Sequence, residues 1–167
     1  MTKHDKRPTH IVLDLDATVV HTIPSCQCTN HECIRVYHEL CYVHLRPSTK
    51  EFISKCYDMK YEFIVFSANE DEYVKKVSEY VFRDLKPPKM LLSLKNMILV
   101  KPSYQYLKTL SLVSHELNVS NDELVAIDDN EDMYPDDTGN VIRIIPWHLT
   151  QVSDTELMLI FNEKLNF

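Results

Sequence analysis

Asp14 and Asp16, with a single leucine between them, close the apolar run His10-Ile11-Val12-Leu13. A short apolar run of this kind, bounded by polar residues, reads as a buried strand of a parallel sheet. Ligands of such sheets bind just beyond the carboxyl ends of the strands. Two acids at that edge are costly unless positive charge sits beside them. A divalent cation and a phosphate-binding lysine would supply it. A second acid pair, Asp128-Asp129, closes another apolar run, Leu124-Val125-Ala126-Ile127. Ser67 follows the run Tyr61–Phe66, and Lys101 follows Leu91–Val100.

The elements that would position these groups alternate. Ser48 and Glu51 form a capping-box pattern at the start of a helix whose buried side is Phe52, Ile53 and Cys56. A helix from about Glu70 to Arg83 carries Tyr73, Val74, Val77, Tyr80 and Val81 at helical spacing, and Lys86-Pro87-Pro88 stops it. Pro102 fits the first turn of a third helix, with Leu107, Leu110 and Leu117 as its stripe. Val141–Ile145 reads as a further strand. Ser153 and Glu156 repeat the capping box before a last helix that buries Leu157, Ile160, Phe161 and Leu165. Alternation of this kind predicts an α/β fold with a largely parallel sheet and helices on both faces. Ile34–Tyr37 and Leu40–Leu45 read as a small hairpin flap within residues 20–45. One domain is expected over 1–167. Asp14, Asp16, Ser67, Lys101, Asp128 and Asp129 would all lie along one sheet edge.

Composition narrows the function classes. The 167 residues carry 18 Lys+Arg against 25 Asp+Glu, a net charge of −7, which argues against binding bulk nucleic acid. No apolar run approaches a membrane span, and Met1–Arg7 is too polar for a secretory signal. Five cysteines, an odd number, favour a reduced, intracellular, soluble protein in nucleus or cytoplasm. The single glycine, Gly139, excludes glycine-rich phosphate and dinucleotide loops.

The set Asp14-Leu15-Asp16-Ala17-Thr18, Ser67, Lys101 and Asp128-Asp129 resembles, in order, the four motifs of the haloacid dehalogenase superfamily. The stretches DLDATVVHT, VHLRPSTKEFI and FIVFSANEDEYVKKV resemble, more narrowly, the phosphatases that act on the C-terminal tail of RNA polymerase II. LVKPSYQYL and LVAIDDN look closest to the ubiquitin-like-domain-bearing branch of that group. The likeness spans from about Ile11 to Trp147. It implies a Rossmann-like core without a large cap domain and a Mg²⁺-dependent hydrolase of phosphomonoesters. Its implied substrate is a phosphoserine or phosphothreonine protein such as the polymerase tail. Asp14 would be the nucleophile that becomes an aspartyl phosphate. Asp16 would be the general acid and base. Lys101 and Ser67 would meet the phosphate, and Thr18 would fix the loop with a phosphate contact open to it. Asp14, the backbone carbonyl of Asp16, and Asp129 or Asp128 would hold Mg²⁺, with Asp129 the first choice.

Plainer readings compete. A lone aspartate after a strand is usually a turn former, Ser67 alone a helix cap, Lys101 alone a solvated lysine. Arg46 reads as structural. Asp132, Asp136 and Asp137 read as a solvated acidic loop, with Asp132 able to approach a metal. Cys26, Cys28, His31 and Cys33 have the ligand types of a zinc clip, but their one-residue spacing favours ordinary loop cysteines. Tyr37, Tyr42 and Trp147 fit a groove for a proline-rich peptide or, equally, core. Two rival functions are a phosphatase for nucleic-acid ends or small phosphoesters, and a non-catalytic binding module of the same fold.

Overall fold

The structure is a computed structural model that describes residues 7–24, 32–36, 39–137, 140–150 and 153–165. Its elements are, in chain order, β1 (His10–Leu13), β2 (Val20–Ile23), β3 (Glu32–Val36), β4 (Glu39–Leu45), α1 (Thr49–Asp58), β5 (Glu62–Phe66) and α2 (Asp71–Val81). There follow β6 (Met90–Leu92), β7 (Ile98–Val100), β8 (Gln105–Leu107), α3 (Leu110–Leu117), β9 (Leu124–Asp128), β10 (Val141–Arg143) and α4 (Glu156–Ile160). The central sheet has the order β10-β9-β1-β5-β6, and all of its pairs are parallel.

Register brings the chemical residues together. Leu13 lies opposite Val65 on one side and Ile127 on the other. The next residue of each strand, or the one after it, is therefore Asp14, Phe66-Ser67 or Asp128, all at one edge. Strand alternation divides the apolar residues between two layers. Ile11, Leu13, Phe63, Val65, Val125 and Ile127 face α1, α2 and α4, through Phe52, Ile53, Val74, Val77 and Leu157 among others. Val12, Ile64, Phe66 and Ala126 face the opposite side, where Leu110 and Val113 of α3 cover them. Each such side chain, when fully buried, contributes about 1.5–3 kcal/mol against leaving it in water. These layers make the floor beneath the acids rigid.

The flap is a three-stranded antiparallel sheet in the order β2-β4-β3, one strand more than the hairpin read from sequence. β2 carries no signal of its own in the sequence, because its four residues follow the loop after β1 with no turn residue between. Both capping boxes fail to form. Ser48 takes a left-handed conformation, φ 63°, without a side-chain cap, and Thr49 Oγ1 donates instead to the Arg46 carbonyl at 2.8 Å. At α4 the residue before the helix is Thr155, and Asp154 accepts from Glu156 N at 3.1 Å. The four apolar residues assigned to the last helix are nevertheless buried, and the chain continues as a π-helical turn over Phe161–Leu165.

The largest departure follows β7. Lys101-Pro102 does not open a helix. It begins a turn that reverses the chain into β8, antiparallel to β7, so Leu107 belongs to a strand. α3 starts only at Leu110, capped by Thr109, whose side chain accepts from Ser111 N at 3.2 Å. Among the described residues no helix is long and apolar enough to cross a membrane.

Candidate active site

The loop after β1 is the core of the site. Its shape comes from Ala17, a non-glycine residue at φ 60°, with Ala17 N donating to Val20 O at 2.8 Å and Val20 N to Leu15 O at 3.0 Å. A left-handed alanine is costly and persists only when its surroundings fix it. Here Trp147 N donates to Ala17 O at 2.7 Å, and Arg46, 1% exposed, donates through Nη1 to Thr18 O at 3.1 Å. Arg46 is therefore structural, as the sequence suggested. Trp147 is core rather than groove.

Asp14 is nearly buried, at 6% exposure. Its Oδ1 accepts from Lys108 Nζ at 2.8 Å, and its Oδ2 lies 3.1 Å from Thr18 Oγ1. Lys108 Nζ also donates to Asp128 Oδ2 at 2.6 Å. Burial works against the lysine's charge, but Asp14, Tyr134 and Asp128 outweigh it and hold its pKa above the ordinary value. The rings of Phe66 and Tyr134 each lie 5.7 Å from Nζ and enclose it on apolar surface.

The lysine expected here was Lys101. It is exposed in the turn after β7, outside the pocket, whereas Lys108 is 3% exposed and bridges two of the acids. The physical reason is the hairpin: the chain turns at Lys101-Pro102, and only the returning strand reaches the sheet edge. Lys108 stands immediately before Thr109, the cap residue of α3, and that cap was the signal that could have found it.

Asp16 is held differently. Asn69 Nδ2 donates to its Oδ2 at 2.8 Å, and the Tyr73 hydroxyl donates to its Oδ1. Tyr73 is in turn hydrogen-bonded to Thr22 Oγ1 at 2.8 Å, which ties α2 to β2 of the flap. Burial, partly countered by the Tyr73 bond and assisted by Asp14, raises the Asp16 pKa to about 6. In the sequence Tyr73 reads only as part of a helical stripe, so its contact with Asp16 comes from the structure, as does that of Asn69.

Asp128 is 2% exposed, accepts from Asn130 N at 3.0 Å, and is pushed up to about 7 by burial and by Asp14. Asp129 is raised too, by burial first and then by Asp14. Asp14, Asp128 and Asp129 each place one carboxylate oxygen within 4.8 Å of the others, the geometry of a cation site. Thr18 is fully buried behind them and accepts from Asp129 N at 3.1 Å. It joins the loops after β1 and β9, and its side chain lies behind the carboxylates that line the pocket. Ser67, 1% exposed, does line that pocket, as do Ala68, Asn69, Lys108 and Asn130, around a volume of about 210 Å³.

Asp132 is exposed, and Asp137 accepts from Leu110 N at 2.8 Å, so part of the acidic loop caps α3. Of the suggested zinc ligands, Cys26, Cys28 and His31 lie outside the described residues; Cys33 is exposed on β3. Tyr37 also lies outside them. Tyr42 sits half-buried on β4.

A family model described as NLI interacting factor-like phosphatase matches residues 9–165. Two solved structures of Fcp1, an RNA polymerase II CTD phosphatase, share the fold. One aligns with a TM-score of 0.66 at 20% identity over 87% of this chain and 44% of that one. The other, from fission yeast with beryllium fluoride bound, gives 0.65 at 20% identity over 95% and 46%. The chain thus spans less than half the length of either. A search of curated proteins finds no match.

Proposed function

Because the chain belongs to the NLI interacting factor-like phosphatase family, we propose that it hydrolyses phosphomonoesters through a phosphoaspartate on Asp14, acting on phosphoserine or phosphothreonine in a protein. The observation that carries this reading is the placement of Asp14. One carboxylate oxygen is held by a buried lysine and the other lies beside Thr18, at the foot of an open pocket whose far wall is a second, separately clamped acid.

The donor set fits Mg²⁺. Three carboxylates converge, two of them bonded to one lysine, and burial first and then the charge of Asp14 push the pKa of Asp128 and Asp129 upward. Hard oxygen donors are what Mg²⁺ takes. Asp14, Asp128 and Asp129 would hold it, and when bound it supplies positive charge that lets a phosphate dianion approach the acids.

The chain's own residues divide the work. An Asp14 carboxylate oxygen attacks phosphorus and forms the acyl phosphate bond, while the bond to the leaving oxygen breaks and its electron pair stays with that oxygen. Asp16, its carboxyl pKa raised towards neutrality, gives that oxygen a proton. In the second half the Asp16 carboxylate takes a proton from water, whose oxygen attacks phosphorus and releases Asp14 as free carboxylate with inorganic phosphate. Lys108 offsets charge on Asp14 throughout, and Ser67, in the pocket lining, would donate to a phosphoryl oxygen.

The substrate class rests on access and on family. Between Asp14 and Ser67 the described chain holds only the flap and α1, and between Ser67 and Lys108 only α2 and short strands. Nothing there forms a large lid, so a protein segment can reach the pocket. Fcp1 is a polymerase-tail phosphatase, and a phosphorylated tail of that kind is the substrate we put first. Asp14→Asn is the test: turnover of phosphothreonine peptide and of para-nitrophenyl phosphate should vanish while the circular dichroism spectrum is retained. Parental turnover in that variant would overturn the mechanism.

A further inference from the structure

A second hollow adjoins the catalytic pocket. It has a volume of about 430 Å³ and is lined by Glu70, Leu94, Met97 and Tyr106, with Asp71 and Lys95 at its rim. The two linings meet where Asn69 is followed by Glu70. Asn69 lines the catalytic pocket and Glu70 the neighbour, and Leu94 N donates to Asn69 O at 2.8 Å, which fixes that corner. The chain also links them along β8: Tyr106 lines the second hollow, and Lys108, one residue past the end of the strand, lines the catalytic pocket. At a rise of about 3.3 Å per residue, Tyr106 of the second hollow stands about two residues of chain from Lys108 of the catalytic pocket, and we take that spacing as the reach between the two.

The lining is chemically specific. Leu94, Met97 and Tyr106 give an apolar floor. Of the two acids, Asp71 is already engaged by Lys95 and by the Ser93 hydroxyl. Glu70 is exposed and, among the described residues, makes no ion pair. An apolar floor with one uncommitted carboxylate at its edge matches a side chain with a long apolar stem and a cationic head. The chain's net charge of −7 favours such a partner as well.

We propose that this hollow is a specificity subsite for an arginine or lysine lying two residues from the phosphorylated residue of the substrate, its stem on Tyr106 and Met97 and its head on Glu70. The assignment rests on the phosphatase reading above and names a preference within it. It also separates substrates: a phosphorylated segment carrying a basic residue at that spacing is bound, and one carrying an acid there is repelled.

The test is steady-state hydrolysis of phosphothreonine peptides in Mg²⁺, with arginine, alanine or glutamate two positions before or after the phosphothreonine. Para-nitrophenyl phosphate serves as a substrate too small to reach the hollow. On one side of the phosphothreonine, arginine should lower KM about three- to fivefold relative to alanine, the range of a rim ion pair, and glutamate should raise it. Glu70→Lys should invert that order and leave para-nitrophenyl phosphate turnover unchanged. Equal KM for the arginine and alanine peptides on both sides, or an order that Glu70→Lys does not alter, would overturn the subsite while normal para-nitrophenyl phosphate turnover left the phosphatase reading intact. No turnover of either substrate class would overturn both.

Discussion

Arg46 and Asp154 form a two-pronged ion pair beneath the loop after β1: Nε donates to Oδ1 and Nη2 to Oδ2, each at 2.8 Å. The guanidinium side chain is 0% exposed and the carboxylate side chain 10%. The pair joins the segment before α4 to the residue that also holds Thr18 O, so the C-terminal region braces the Asp14–Thr18 turn. Removing one partner of a buried pair strands the other, typically at about 3–5 kcal/mol. Asp154→Ala should therefore lower the urea midpoint markedly and weaken catalysis through the loop, although Asp154 does not line the catalytic pocket. An unfolding curve indistinguishable from the parent would show that the pair contributes nothing net.

The same pair carries a pH signature. Burial alone would raise the Asp154 pKa, but the hydrogen bonds and charge of Arg46 outweigh it and leave the carboxyl below its ordinary value. A depressed carboxylate contributes its stability above the unfolded-state pKa, about 3.9, and loses it as pH falls through the lower folded-state value. The stability gap between the parent and Asp154→Asn should thus hold from pH 7 to about 5 and narrow below about 4. Denaturant titrations across that range measure it directly.

Lys108 provides the sharpest contrast between readings. Lys108→Met removes the cation that touches both Asp14 and Asp128, and loss of one such charge-stabilising group costs about 100- to 1,000-fold in kcat. Lys101→Met, in an exposed turn, should leave kcat/KM close to the parent. Comparable losses in both variants would contradict the geometry.

That contrast also marks where sequence reading stopped. Asp14, Ser67 and Asp128 were legible because each ends a strand long and apolar enough to identify, and parallel pairing brings strand ends to one edge. The lysine was not, because β7 and β8 are three residues each and Ile98, Leu99, Val100 and Tyr106 are exposed, so no burial pattern marks the reversal. Proline after Lys101 fits a helix start as well as a turn, and only the tertiary path decides between them. The clamp on Asp16 was illegible for another reason: Asn69 and Tyr73 lie far from it in sequence, and Tyr73 sits at a helical position that any core residue could fill.

Tyr73→Phe should move the alkaline limb of the kcat profile to higher pH. The Tyr73 hydroxyl donates to Asp16 and so favours its charged form; burial and Asp14 together still raise the carboxyl to about 6. Without that donor the proton is held more tightly, so the acid form persists to higher pH, by about one unit for the loss of one such bond. A limb that stays in place or shifts to lower pH would mean that Asp16 does not set it.

Cation dependence is testable without turnover. Asp14, Asp128 and Asp129 each bring a carboxylate oxygen within 4.8 Å of the others, so a bound divalent ion would relieve their mutual repulsion and stabilise the folded chain. Millimolar Mg²⁺ added to chelator-treated protein should raise its Tm, by an increment that grows with the logarithm of free metal above Kd. Asp129→Asn removes one donor and leaves the Lys108 bridge in place, since that lysine donates to Asp14 and Asp128. Its Tm should be less sensitive to Mg²⁺, with the midpoint of the response at higher metal concentration. Because Thr18 accepts from the Asp129 backbone N–H, which the substitution keeps, the loop geometry should survive. An unchanged Mg²⁺ response in Asp129→Asn would place the ion elsewhere, and a parent insensitive to Mg²⁺ would remove the cation from the mechanism.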